Sequence, residues 1–130
     1  MAAEILIDTS VWIDYFRKPD SATGEKIIKH LKRGSVSTCG VVVFEVLQGA
    51  ADQEEFSFLE ENLKGLHFLE ANAEAFFEAG KVSYDLRKHG ITLPLSDILI
   101  GTLAMSNHQT IWTKDQHFKK IKGLHHQFFD

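Results

Sequence analysis

Cysteine occurs once in this chain, at Cys39, and proline only twice, at Pro19 and Pro94. A lone thiol forms no internal disulfide, so a reducing, cytoplasmic setting is the expectation. No apolar run approaches the roughly 18–20 residues that span a bilayer, and no membrane association is expected. Residues Met1 to Asp8 carry no basic segment and no apolar stretch of signal length, so no export signal is expected either. Positive charge is also in short supply. Fourteen Lys and Arg face eighteen Asp and Glu, for a net charge of −4. That balance disfavours a module that grips nucleic acid by surface charge alone. It does not disfavour a pocket of carboxylates offset by bound cations. Repeats, low-complexity tracts and long linkers are absent, and 130 residues suit one core, so residues 1–130 are expected to form a single domain.

Short apolar runs alternate with amphipathic stretches. Glu4 to Ile7 is too continuously apolar for a half-exposed strand and reads as a buried parallel one ending at Asp8. Thr9 and Ser10 are placed to cap a helix through Phe16, and Pro19, Asp20, Ser21 and Gly24 mark a loop. A helix is expected from Glu25 to Lys32, stopped by Gly34, then a strand over Ser35 to Ser37. Gly40 to Gly49 reads as a helix despite the β-branched run Val41 to Val43, which opposes it by local propensity. Asp52 to Leu63 reads as a helix, Leu66 to Leu69 as a strand, and Asn72 to Lys88 as a helix with Asn72 as N-cap and Gly90 beyond its end. After Pro94, Ser96 is expected to cap a helix to Met105. Thr110 to Thr113 follows as a strand, Lys114 to Lys120 as a short helix, and His125 to Phe128 as an edge strand. This alternation predicts a layered α/β domain with a mostly parallel sheet. Reactive groups in such sheets gather beyond the carboxyl ends of the strands.

Acids stand at those positions. Asp8 ends the first strand, Glu45 lies on the helix after the second, Asp97 sits in the first turn after Ser96, and Asp115 follows Thr113. If they converge, each pair about 4 Å apart repels by roughly 4 kcal/mol at an effective dielectric of about 20. Such a cluster is stable only with cations bound or with shifted pKa values. Oxygen ligands without cysteine point to Mg²⁺ or Mn²⁺ rather than zinc. The chemistry expected of such a site is phosphodiester hydrolysis by an activated water.

Each acid taken alone has a plainer explanation. Asp8 and Asp115 suit caps or loop acids, Asp97 suits the positive end of a helix dipole, and Glu45 suits a solvated helix face. Arg17 and Lys18 are placed to meet phosphates or merely to solvate a loop. Lys114, Lys119, Lys120 and Lys122 form a basic segment that reads as an electrostatic track or as a solvated face. Seven histidines are present, but their spacing suits no zinc site, and His117 alone is near a motif acid. Trp12, Phe16, Phe76 and Phe77 are expected in the core or an interface, and Trp112 in packing. Cys39 lacks the neighbours of a nucleophile.

In combination the contexts are specific. Leu6-Ile7-Asp8-Thr9-Ser10-Val11-Trp12-Ile13-Asp14 resembles the opening motif of PIN domains, above all of VapC toxins. Phe44-Glu45-Val46-Leu47-Gln48-Gly49 is similar to their acidic helix motif, Leu95-Ser96-Asp97-Ile98-Leu99-Ile100-Gly101 to the third motif, and Ile111-Trp112-Thr113-Lys114-Asp115-Gln116-His117-Phe118 to the fourth. The blocks follow family order and span nearly the whole chain. The resemblance implies a three-layer α/β/α sandwich and a Mg²⁺- or Mn²⁺-dependent endoribonuclease, the toxin component of a toxin–antitoxin pair. It implies Asp8, Glu45, Asp97 and Asp115 as catalytic metal ligands, with Thr9 and Thr113 supporting them. It further implies an RNA substrate, a cognate VapB-like antitoxin and a homodimer. His117 stands where many relatives carry a further acid, which removes one negative ligand.

Other functions compete. A haloacid-type phosphohydrolase requires a second aspartate two positions after Asp8, where Ser10 stands. A receiver module requires an acid pair after the first strand and an aspartate after the third, where Glu70 stands. An inactive PIN-like interaction module would not need four retained acids.

Overall fold

The computed structural model describes residues 4–130, so Met1 to Ala3 of the segment read for export lie outside the described residues. Five short strands form its centre: β1 (Ile5–Ile7), β2 (Val36–Cys39), β3 (His67–Leu69), β4 (Thr110–Thr113) and β5 (His126–Phe128). They lie in the order β3-β2-β1-β4-β5, and every neighbouring pair is parallel. Parallel neighbours cannot be joined by tight turns and need crossovers, usually helical. Helices α1 (Thr9–Arg17) and α2 (Ala22–Lys32) join β1 to β2, α3 (Gly40–Gln48) and α4 (Gln53–Lys64) join β2 to β3, and α5 (Ala73–Lys88) and α6 (Leu95–Ser106) join β3 to β4. The expected α/β/α sandwich results, with a sheet that is wholly rather than mostly parallel.

The sheet is held by apolar burial. Leu6 and Ile7 of β1 stand beside Ile111 and Trp112 of β4. Leu6, Ile7 and Ile111 are fully buried, each worth about 1.5–3 kcal/mol against exposure. Trp112 packs on His30 and Phe129, as expected of a packing residue. The chain lays β2 and β3 on one side of β1, then returns to lay β4 and β5 on the other. This reversal opens a crevice beyond the carboxyl ends of β1 and β4.

Local chemistry explains most element ends. Asn72 caps α5 by accepting from the Ala75 N–H, and Gly34 and Gly90 take positive φ just beyond their helices. Val42 is fully buried in α3, so packing outweighs the weak helix propensity of the valine run. Four expectations shift. Helix α2 starts at Ala22, because the Ser21 hydroxyl accepts from the Gly24 N–H at 3.0 Å. Strand β2 begins at Val36, since the Ser35 hydroxyl donates to the His30 carbonyl. Helix α6 begins at Leu95 behind Pro94, whose carbonyl accepts from the Ile98 N–H, so Ser96 is not its cap. The last helix is a 3₁₀ turn, Gln116–Lys120. Phe76 and Phe77 are 50% and 76% exposed, which removes them from the core. Among the described residues no helix is long and apolar enough to cross a membrane.

Two glycines separate packing from propensity. A Cβ on Gly24 would sit 2.1 Å from the Pro19 carbonyl oxygen, whereas one on Gly80, inside α5, meets nothing within 4 Å. Gly24→Ala should therefore cost about 1–3 kcal/mol through forced backbone movement. Gly80→Ala should stabilise by up to about 1 kcal/mol. Urea unfolding midpoints check both, and shifts of the same sign would contradict the packing described.

Candidate metal centre

The crevice at the reversal point collects the acids that the sequence placed after strands. Asp8 follows β1 directly, and its backbone N–H donates to the Trp112 carbonyl, so β4 fixes its position. Its side chain is 6% exposed. Carboxylate Oδ2 accepts from the Thr113 hydroxyl at 2.8 Å and from the Ser10 hydroxyl at 3.2 Å. Local sequence makes Thr9 and Ser10 candidate caps of α1, but Asp8 is the N-cap residue and no side chain caps this helix. Their hydroxyls are spent on the site instead. Thr9 donates to Glu45 Oε1 at 2.7 Å, which ties α3 to the start of α1.

Asp97 lies in the first turn of α6, and Asp115 stands just before the 3₁₀ turn. Thr113 joins Asp115 to Asp8: its hydroxyl oxygen accepts from the Asp115 N–H at 2.9 Å while the hydroxyl donates to Asp8. Asp115 Oδ1 in turn accepts from the His117 N–H at 2.9 Å, which holds the carboxylate toward the crevice. Asp97, Asp115 and His117 each offer a ligand atom, and these atoms lie within 4.8 Å of one another.

Electrostatics record the same convergence. Burial holds the Asp8 carboxyl above the usual carboxylate range; hydrogen bonds from Thr113, Thr9 and Ser10 oppose the rise, and the charge of Asp97 adds to it. Asp97 is also raised, first by burial, then by Asp115, with Glu45 adding and His117 opposing. The structure brings Asp97 and Asp115 together with His117, ties Asp8 to Asp115 through Thr113, and holds Glu45 by Thr9 at the start of α1. Cys39 is buried and its thiol is pushed up, chiefly by burial, so it is a poor thiolate ligand. The remaining donors are carboxylate oxygens and one imidazole, which fit a hard divalent cation.

A pairing that the sequence does not announce braces the site. Lys114 Nζ is 2.6 Å from Asp14 Oδ2, and both side chains are about one-third exposed. The Lys114 N–H also donates to the Ser10 hydroxyl oxygen at 3.2 Å. Lys114 therefore joins the loop after β4 to α1 instead of forming a free basic track. Lys119 rests over the Phe128 ring. The only hint of the Asp14–Lys114 pair was opposite charge, since the two are a hundred positions apart. Arg17 lines a groove of about 510 Å³ beside Glu45, with Ile13, Phe16, Phe58 and Leu59.

A family model described as PIN domain matches residues 5–124. The chain is 31% identical over 124 residues to Ribonuclease VapC11 of Mycobacterium tuberculosis H37Rv, covering 92% of each. It is 24% identical to Ribonuclease VapC1 of Methanocaldococcus jannaschii over 98% of this chain and 88% of that one. Its fold is shared with the crystal structure of VapBC2 from Rickettsia felis bound to a promoter DNA fragment, at a TM-score of 0.85, 21% identity and full coverage of both chains. DNA-bound VapBC from Salmonella typhimurium matches at a TM-score of 0.85 and 17% identity, covering 97% of this chain and 98% of that one.

The raised Asp8 pKa has a definite sign in stability. Metal-free folded protein holds the Asp8 proton more tightly than the unfolded chain, so ionisation at neutral pH weakens the fold. The cost lessens as pH falls through the raised value toward the ordinary 3.8. In EDTA, Asp8→Asn should melt higher than wild type at pH 7, and the gap should narrow as the buffer is acidified. A variant that melts lower at pH 7 would mean the carboxylate is not under strain.

Proposed function

The chain belongs to the PIN-domain family, and from that premise we propose that it is a divalent-metal-dependent endoribonuclease, the toxin half of a toxin–antitoxin pair. The observation that carries the reading is the approach of ligand atoms of Asp97, Asp115 and His117 to within 4.8 Å of one another, with Asp8 tied to Asp115 through Thr113, in a chain whose relatives are named VapC ribonucleases. In this reading Asp8, Glu45, Asp97 and Asp115 hold Mg²⁺ or Mn²⁺, and Thr9 and Thr113 orient them. Such an ion, when bound, lowers the pKa of a water and offsets charge on a phosphoryl oxygen. The protein's own part is positioning. Thr113 holds Asp8 and Asp115 together, Thr9 fixes the Glu45 carboxylate, and the Asp14–Lys114 pair steadies the loop that carries Asp115.

The groove beside Glu45 supports an RNA substrate. Arg17 supplies a cation for phosphate, and half-exposed Phe58 supplies an aromatic face on which a base can stack. A cognate antitoxin that covers Ile13, Phe16 and Phe58 would exclude RNA, and VapBC complexes among the structural neighbours support such a partner. Exposed Phe76, Phe77 and Tyr84 on α5 support a second copy of the chain as a further partner. The continuous core supports one nuclease domain over residues 1–130, and the single buried thiol supports a cytoplasmic setting.

Antitoxin-free protein should cleave RNA when given Mg²⁺ or Mn²⁺, stop in EDTA, and resume when the ion is restored. Asp97→Asn should lower the rate by about 100-fold or more, the upper range for loss of a group that orders a metal site. Cleavage ends read by sequencing should carry no 2′,3′-cyclic phosphate, because water and not the ribose hydroxyl attacks. Cyclic ends, or cleavage indifferent to EDTA, would overturn the assignment.

A further inference from the structure

Beside the four acids the crevice holds a donor of another kind. His117 lies in the 3₁₀ turn, two residues beyond Asp115, with its side chain 51% exposed. Its Nδ1 is 3.2 Å from Asp115 Oδ1 and 3.5 Å from Asp97 Oδ2. The backbone enforces this placement, because the His117 N–H donates to that same Asp115 oxygen. The imidazole therefore lies beside the carboxylate that caps its own turn. Neighbouring ligands of an octahedral ion bound at about 2.1 Å stand about 3 Å apart. The two separations at Nδ1 are close to that spacing. A half-exposed ring also needs little rearrangement to turn a ring nitrogen onto a cation, and a neutral imidazole has a lone pair to offer.

We infer that His117 is a nitrogen ligand of the ion held by Asp97 and Asp115, and that it raises the preference of this site for Mn²⁺ over Mg²⁺. The inference rests on the metal-dependent reading above. Mg²⁺ is a hard cation that favours oxygen and keeps its waters, whereas imidazole nitrogen suits transition metals. Exchanging a carboxylate for an imidazole also makes the site one charge less negative, which weakens the purely electrostatic attraction that Mg²⁺ relies on. Both effects favour Mn²⁺.

The test uses the full chain stripped with EDTA and titrated with Mn²⁺, with binding read by electron paramagnetic resonance and ligands by pulsed nitrogen hyperfine coupling. Wild type should show an imidazole-nitrogen coupling that is lost in His117→Ala and in His117→Asp. His117→Ala should bind Mn²⁺ at least about tenfold more weakly, since loss of even an outer-shell partner of a metal ligand costs about 10–100-fold. His117→Asp should keep Mn²⁺ binding but let Mg²⁺ compete better, a change that a merely structural role would not produce. Melting temperatures in EDTA that match wild type would show that both variants are folded. Bound Mn²⁺ without imidazole coupling, weakened by Asp97→Asn but not by His117→Ala, would overturn this inference and leave the ribonuclease reading standing. Failure of wild type to bind Mn²⁺ at all would sink both.

Discussion

Repulsion among carboxylates at the end of β1 and β4 is the constraint around which this molecule is arranged. A buried acid such as Asp8, with Asp97 charged nearby, resists ionisation at neutral pH. Folding is possible because hydrophobic burial in the central strands is large enough to hold the acids where they would not settle alone. Leu6 and Ile7 are fully buried immediately before Asp8, and Ile111 and Trp112 are buried just before Thr113. Fully buried core thus abuts the least favourable electrostatics. A divalent cation bound there would relieve that tension and so couple occupancy of the site to stability.

Small hydroxyl groups make the arrangement specific. Thr113 bridges Asp8 and Asp115, Thr9 bridges α1 and Glu45, and Ser10 links Asp8 to the backbone of Lys114. None of them changes the charge of the centre. They reduce the freedom of the carboxylates and lower the pKa of Asp8 against the rise from burial. Helix α1 gives up side-chain capping as a result. A cap is worth about 1 kcal/mol, and α1 does without it because the carboxylate of its N-cap residue, Asp8, is engaged by Thr113 and Ser10.

The net negative charge of the chain is easier to understand in this light. Several of the acids counted against nucleic-acid binding stand close together, Asp97 and Asp115 beside His117 and Asp8 joined to Asp115 by Thr113, where a bound cation would offset their charge. Lys114 is tied to Asp14, and Lys119 lies over Phe128. Arg17, by contrast, lines the groove next to Glu45. Charge position, not total charge, decides what this surface attracts.

The sequence by itself determined the alternation of elements, the parallel sheet and the acids that follow its strands. These features rest on near-neighbour physics: runs of apolar residues, caps such as Asn72, and stops such as Gly34 and Gly90. Where two local roles competed for one side chain, neighbouring residues did not suffice. Thr9 and Ser10 look like caps until Glu45 and Asp8 are brought beside them, and Ser96 looks like a cap until the Pro94 carbonyl closes the first turn of α6. The pairing of Asp14 with Lys114 and the approach of His117 to Asp97 were decided only by the tertiary structure. Their partners are separated by many residues, and packing of β4 against β1 is what closes that distance. Local pattern records what a segment prefers, whereas a contact across the sheet depends on where the other segments come to rest.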